Sequence, residues 1–305
     1  CYGLSKKNKT EIDGRIFFPH SLGIFYQALT QFVGFKNYGD EYKFMGLSAY
    51  GSNSYVNKIR KLFIPQKIGY KLNLNYFTHH KKNIQKFNEN GEIYYEDLYN
   101  LNLEELLNFK SINKFNYSQN IADIAKSAQT VYEEILFDYL NNIYNKYQNT
   151  NLCLSGGCAL NSLANGKIKN NTKFKNLFIP YEPADAGGSI GSALTCYYEI
   201  ENKQTKTKQL DPYLGTNYSN EEIEKLLNKK NDKLNYKFKF FEKFDEITNI
   251  ISDDLILGKI IAWYQDKMEF GPRALGNRSI LMDPTIKNAK EILNNKIKLR
   301  EEFRP

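Results

Sequence analysis

The sequence predicts an α/β fold, and three observations carry that expectation. First, Ile121, Ile124, Ala125, Ala128, Val131, Ile135, Leu136, Leu140 and Ile143 recur at three- and four-residue steps. That spacing puts them on one face of a long helix, about Asn120 to Tyr147. Second, two short apolar runs, "NLCLS" and "NLFIP", have strand length and each ends at a turn. Third, the order across this region is helix, strand, Gly turn, helix, strand, loop, helix, which is the rhythm of an α/β layer.

Taken from the N-terminus, residues 15–51 mix a helix at Leu22–Phe32 with glycine turns. Residues 52–118 are polar and rich in Tyr and Asn, and read as short helices and loops of a lid or insertion. After the long helix, "NLCLS" runs into Gly156-Gly157, with a helix starting near Ala159. "NLFIP" (Asn176–Pro180) leads through a loop into a helix over Ser189–Glu199. The polar stretch 201–211 reads as a linker. A helix over Asn220–Asn228 follows, with Ser219 and Glu222 at capping-box spacing. "LNYKFKFF" alternates like a strand, Phe244–Leu257 is helical and stopped by Gly258, and "KIIAWY" reads as a buried strand. These elements divide the chain into a domain over 1–205, a connecting segment over 206–245 and the start of a second α/β domain over 246–305.

Composition narrows the class. Apolar residues make up 41% and charged residues 25%, ordinary globular usage, and no run approaches the roughly 20 apolar residues of a membrane helix. The net charge of +8 fits phosphate-rich ligands, nucleic acid or an acidic surface, and fits equally a plain compositional bias, since the lysines are scattered. Cys1, Cys153, Cys158 and Cys196 form no Cys-x-x-Cys pair and reach no usual zinc spacing with His20, His79 and His80. Reduced thiols in a cytoplasmic protein are expected. Adjacent His79 and His80 do not share a face, which points to structural roles. The chain begins at Cys1 and stops at Pro305 just after a motif, and is expected to be an internal piece of a longer protein.

Four segments could carry chemistry. "LSGGCALN" (Leu154–Asn161) is a strand opening through two glycines into a helix. Such a turn either lets backbone approach a phosphate or is a tight corner where a side chain would clash. In "EPADAGGSIGSAL", Asp185 precedes a Gly pair and a helix, so it either binds a hard cation or hydroxyl or caps the helix. In "QDKMEFGPRALGNRSILMDP", Arg273 and Arg278 flank Gly276 beside a Gly-Pro turn. Guanidinium forks suit phosphate or carboxylate, or they pair with Glu269 and Asp283. "NNKIKLREEFRP" brings Lys296, Lys298, Arg300 and Arg304 within nine residues, as a solvated face or as part of a dianion pocket.

Together with "FPHSLGIFYQALTQFVGF", "GDEYKFMGLSAYG" and "PYLG", these motifs occur in the order of the O-carbamoyltransferase family, which the chain resembles from about residue 15 to 305. That family includes the nodulation-factor, cephalosporin, novobiocin-type and tobramycin carbamoyltransferases. The resemblance implies a partial actin/sugar-kinase-like domain followed by the start of a domain of the threonylcarbamoyl-adenylate synthase type. It implies activation of carbamoyl phosphate by ATP (with Mg2+) to carbamoyl-adenylate, then transfer to a hydroxyl of a sugar or natural product. By motif match it places carbamoyl phosphate on Arg273, Lys298 and Arg304, and the adenylate on Gly156, Gly157 and Asn161. Asp185 becomes one ligand of a divalent metal, expected to be Fe2+, whose other family ligands are two histidines four residues apart. No His-x-x-x-His occurs here, so half of that metal site is missing from these residues and the chain by itself is expected to be inactive. The expected partners are small molecules, neither membrane nor nucleic acid, and a homodimer is compatible with the reading. Three alternatives remain: an actin-like sugar kinase or phosphotransferase, a nucleic-acid-associated protein of tRNA modification, and an inactive homologue. Phosphotransfer leaves "EFGPRALGNRS" unexplained.

Overall fold

The computed structural model describes residues 1–6, 9–91, 93–201, 211–234 and 237–304. It divides the chain into two units, Cys1–Gln204 with Phe303–Pro305, and Thr205–Glu302.

The first unit opens with an antiparallel pair, β1 (Tyr2–Lys6) and β2 (Lys9–Gly14). Helix α1 (Leu22–Phe32) starts where the Ser21 Oγ accepts from the backbone N–H groups of Gly23 and Ile24, satisfying two otherwise orphaned donors. Short helices α2 (Glu41–Leu47) and α3 (Val56–Ile59), antiparallel pairs β3 (Phe63–Pro65) with β4 (Tyr70–Leu72) and β5 (Gln85–Phe87) with β6 (Ile93–Tyr95), and α4 (Leu101–Leu107) fill the region to residue 118. Helix α5 (Gln119–Tyr147) is capped by Ser118 and ends at Gln148 in the left-handed conformation. β7 (Asn151–Cys153) pairs in parallel with β8 (Asn176–Phe178) across α6 (Ser162–Asn171), and α7 (Gly187–Glu201) follows. This is the helix–strand–turn–helix–strand–helix order read from the sequence.

The core of this unit lies between α1 and α5. Phe25, Leu29 and Phe32 of α1 are buried in one apolar cluster with Ile124, Ala125, Ala128 and Val131 of α5, and Tyr26 of α1 packs edge-on against Tyr132 of α5. Each of the Phe, Leu, Ile and Val side chains among these contributes roughly 1.5–3 kcal/mol by leaving water. Gly51 brings its backbone onto α5 so closely that a Cβ there would sit 1.9 Å from the Ala122 carbonyl oxygen. The expectation of a lid or insertion over 52–118 needs correction. Leu62, Leu72, Phe77, Leu98, Leu103 and Leu107 from this stretch are buried in the same core, beneath a polar, aromatic exterior that masked them.

The second unit contains α8 (Asn220–Leu234), α9 (Phe244–Ile256), the antiparallel pair β9 (Ile261–Tyr264) and β10 (Arg278–Leu281), and α10 (Ala289–Ile292), which runs on as a π-helical stretch over Leu293–Lys298. The capping box is present: Glu222 Oε2 accepts from Ser219 N at 2.8 Å and Ser219 Oγ accepts from Glu222 N at 3.2 Å. Helix α8 extends past the expected Asn228. Residues 237–241 of "LNYKFKFF" form no strand, because alternation without a partner strand leaves the backbone unpaired. β9 is half-exposed rather than buried. Most of the linker read at 201–211 lies outside the described residues.

Candidate active site

Because β7 and β8 are parallel, the loops leaving their carboxyl ends lie on one edge, where open α/β sheets hold ligands. The two loops are tied together. Ser155 Oγ and the Gly156 N–H both donate to the Pro183 carbonyl, at 3.1 and 2.7 Å. Gly156 has φ +101°, which suits glycine. Gly157 and Gly188 adopt no such conformation, and a Cβ added to either would have no protein atom within 4 Å. Internal crowding therefore does not explain these two glycines. Both lie on an open edge of the fold. Asp185 stands exposed between the two Gly pairs, its carbonyl accepting from the Gly188 N–H at 3.0 Å.

Asn161 lies differently from the sequence expectation. The turn after Gly156 is a 3-10 segment, Gly157–Leu160, so the helix begins after the expected Ala159 and Asn161 is the N-cap of α6. Its Oδ1 accepts from Ala164 N at 3.0 Å, and it forms a reciprocal amide pair with Gln129 at 3.0 Å in both directions. Gln129 in turn accepts from the Tyr26 hydroxyl and donates to Glu133, which pairs with Lys167. This buried chain of polar groups pins the glycine turn to α1 and α5.

One residue of the site went unnoticed in the sequence. Glu41, at the start of α2, is half-buried, and desolvation pushes its carboxyl above the usual range; the charge of Asp40 adds to this, while the backbone N–H groups of Glu41 and Gly39 oppose it. Its charge is felt by Tyr26, Tyr38 and the Cys158 thiol, so it sits beside the glycine turn. A desolvated carboxylate at such an edge makes Glu41 a candidate proton acceptor. The sequence signal was present in "GDEYKFMGLSAYG" but carried no local pattern that set Glu41 apart from Asp40. Burial also raises the Cys158 thiol, which argues against a thiolate nucleophile there.

In the second unit, β9 and β10 pair through Tyr264 and Arg278, so Gln265–Asn277 forms the loop that closes their hairpin. Its buried organiser is Glu269. One carboxylate oxygen accepts from the backbone N–H groups of Leu275 and Asn277 at 2.7 and 3.0 Å, and the other lies 3.2 Å from Arg278 Nε. Burial acts to raise the Glu269 pKa, but the backbone donors outweigh it and hold the carboxyl below its ordinary value. Arg278 also donates to the Gly271 carbonyl at 2.9 Å, so it is a buttress of the loop. The "PYLG" segment forms a second support. Gly215 N donates to Met268 O and Phe270 N to Pro212 O, both at 2.8 Å, and the Tyr213 hydroxyl reaches Leu275 O at 2.9 Å. Arg273 is exposed near the middle of this braced loop.

Lys298 is exposed at the end of the π-helical stretch in the second unit. Arg304 belongs to the first unit, where its guanidinium lies 4.2 Å from the Tyr42 ring centroid and Phe303 packs against Phe35 and Phe115. His79 is buried with Nε2 2.8 Å from the Pro19 carbonyl, and His20 Nδ1 accepts from Leu72 N. Among the described residues no group of three or more His, Cys, Asp and Glu side chains converges on a point, so these residues do not complete a metal centre around Asp185. No described helix is long and apolar enough to cross a membrane.

Residues 1–194 match the family model for the carbamoyltransferase N-terminus, and residues 252–305 that for the carbamoyltransferase C-terminus. An uncharacterized protein of Synechocystis is 36% identical over 95% of this chain and 46% of its own length. Nodulation protein NolO of Bradyrhizobium diazoefficiens is 31% identical over 97% of this chain and 50% of its own length. The 3'-hydroxymethylcephem-O-carbamoyltransferase of Streptomyces clavuligerus is 28% identical over 59% of this chain and 32% of its own length. The chain thus spans about half the length of the first two of these relatives.

Proposed function

The chain belongs to the carbamoyltransferase family, and on that footing we propose that its protein is an ATP-dependent O-carbamoyltransferase. Carbamoyl phosphate, water and ATP give carbamoyl-adenylate, phosphate and pyrophosphate. An acceptor hydroxyl then attacks the carbamoyl carbon, AMP leaves, and the hydroxyl proton passes to a base. The observation that carries this reading is the open edge beyond β7 and β8. Its two Gly pairs are not demanded by packing at Gly157 and Gly188, and an exposed carboxylate lies between them. That edge suits the adenylate phosphate, approached by backbone at Gly156 and Gly157, with Asn161 holding the turn in shape. The parallel strands and their glycine turns also support reading the first unit as part of an actin/sugar-kinase-like domain.

Arg273, fixed by the Glu269 and "PYLG" braces, is suited to a small dianion such as carbamoyl phosphate, because a preorganised cation needs no rearrangement as charge develops. The assignment of Lys298 and of Arg304 to carbamoyl phosphate rests on the family resemblance alone. Glu41 is our choice for the group that takes the acceptor proton. The divalent metal rests on the resemblance, with Asp185 as one ligand, and no step is assigned to it. The acceptor hydroxyl of a sugar or natural product is likewise part of the proposal.

The test uses the full-length protein with carbamoyl phosphate and ATP and follows pyrophosphate. Release that requires both substrates supports the reading. Phosphorylation of a sugar without carbamoyl phosphate would replace it with a kinase.

A further inference from the structure

Beside the Asp185 edge, on the first unit, lies an aromatic surface that the reaction as described does not use. Tyr38 is 68% exposed, although its ring is held flat against Tyr95, with centroids 5.1 Å apart and planes 24° from parallel. The loop that presents it is fixed. Asn37 N donates to Asp40 Oδ2 at 3.3 Å, Asp40 N donates to the Asn37 carbonyl at 3.2 Å, and Lys43 pairs with Asp40 at 3.0 Å. Tyr38 is near enough to Asp185 and Glu41 that their charges, after burial and Tyr95, help raise its hydroxyl pKa.

Tyr95 continues into a groove of about 460 Å³, lined also by Lys36, Lys82, Glu96, Asp97 and Asn113. Its charges are paired. Lys36 pairs with Asp97 at 2.6 Å, and Glu96 pairs with Lys82 at 2.8 Å and with Lys86 at 2.7 Å, which hold its carboxyl near 2. A groove whose lysines are already committed to carboxylates, rich in hydrogen-bonding groups and next to an exposed stacked ring, favours an uncharged ligand over a phosphate or a nucleic acid. It suits an uncharged ring that carries many hydroxyls, with one face on an aromatic ring and its edges on polar groups.

We propose that Tyr38 and Tyr95, with the adjoining groove, form the acceptor subsite, which binds a neutral pyranose ring by stacking and points one of its hydroxyls toward the Asp185 edge. The assignment rests on the carbamoyl-transfer reading of that edge. It makes Tyr38 a specificity-determining residue rather than a catalytic one.

The experiment compares wild-type full-length protein with Tyr38→Ala and Tyr38→Phe, using methyl β-D-glucopyranoside as the probe. Saturation-transfer NMR reads binding without turnover, and carbamoyl-phosphate-dependent ATP–pyrophosphate exchange reads the activation step without acceptor. The expected result is binding weakened about tenfold or more in Tyr38→Ala, binding kept in Tyr38→Phe, and exchange unchanged in both. Binding that survives Tyr38→Ala overturns the subsite, and equal loss in Tyr38→Phe overturns stacking as its basis. Absence of exchange in the wild type strikes at carbamoyl transfer instead, and leaves the NMR comparison to decide the subsite by itself.

Discussion

The two units keep their candidate functional loops in place by opposite means. In the first, the glycine turn and the Asp185 loop ride on a closed apolar core between α1 and α5. In the second, the buried residues among those described are polar, Glu269, Asn277 and Asn294, while Ile256 and Leu257 of the α9 end stay about three-quarters exposed. The Arg273 loop is ordered by a carboxylate that gathers backbone N–H groups, not by apolar burial. A scaffold of the first kind tolerates changes at its rim. A loop of the second kind has its order concentrated in very few atoms.

The largest expected effect breaks the first unit. Phe25→Ala opens a cavity in a fully buried site and should cost about 3–5 kcal/mol in chemical denaturation. The matching truncation on α9, Ile250→Ala, removes a side chain that is 42% exposed and should cost under about 1 kcal/mol. Comparable losses in the two would contradict the contrast.

Glu269→Gln should loosen the Arg273 loop while leaving the first unit intact. Hydrogen exchange at the Leu275 and Asn277 amides should quicken markedly, and pyrophosphate release should fall. The pH dependence has a definite sign. The Glu269 pKa is depressed in the fold, so its contribution is fully present above the ordinary carboxylate pKa and is lost as pH falls through the lower folded value. Protection at those two amides should therefore hold at neutral pH and collapse only in acid. Protection that is flat across the acid range would remove Glu269 as the organiser.

The sequence made some of this plain and concealed the rest. The Ser219–Glu222 box and the stripe from Ile121 to Ile143 were legible because capping and helix periodicity are local. The strand reading of "LNYKFKFF" failed because a strand needs a partner that alternation cannot name. The core role of Phe77, Leu98 and Leu103 was hidden by the tyrosines and asparagines around them. At the site, the glycine turns and Arg273 stood out as motifs, whereas whether Arg278 was ligand or brace depended on Glu269 folding back onto it. Glu41 became visible only through its burial.

The smallest expected effect concerns Glu41. Its raised pKa means that the fold is favoured by its protonated form, a contribution present at low pH and lost as pH rises through the folded value. Glu41→Gln should thus be slightly more stable than the wild type at pH 7, with the advantage fading as pH falls through that value, and should be slow in carbamoyl transfer but not in pyrophosphate release. A destabilised Glu41→Gln protein at pH 7 would show that the carboxylate is paired rather than desolvated.

The most direct measurement sets Gly157→Ala beside Arg273→Ala in full-length protein, following carbamoyl-phosphate-dependent pyrophosphate release and thermal stability together. A Cβ at Gly157 meets no protein atom within 4 Å. Gly157→Ala should therefore show an unchanged or slightly raised Tm, with a higher KM for ATP because the methyl group intrudes on the proposed adenylate site. Arg273→Ala should keep its Tm and lose release by about a hundredfold or more. Release that survives Arg273→Ala, or a Gly157→Ala protein with wild-type kinetics for both activation and transfer, would contradict the claim that these two loops hold the carbamoyl donor and the nucleotide.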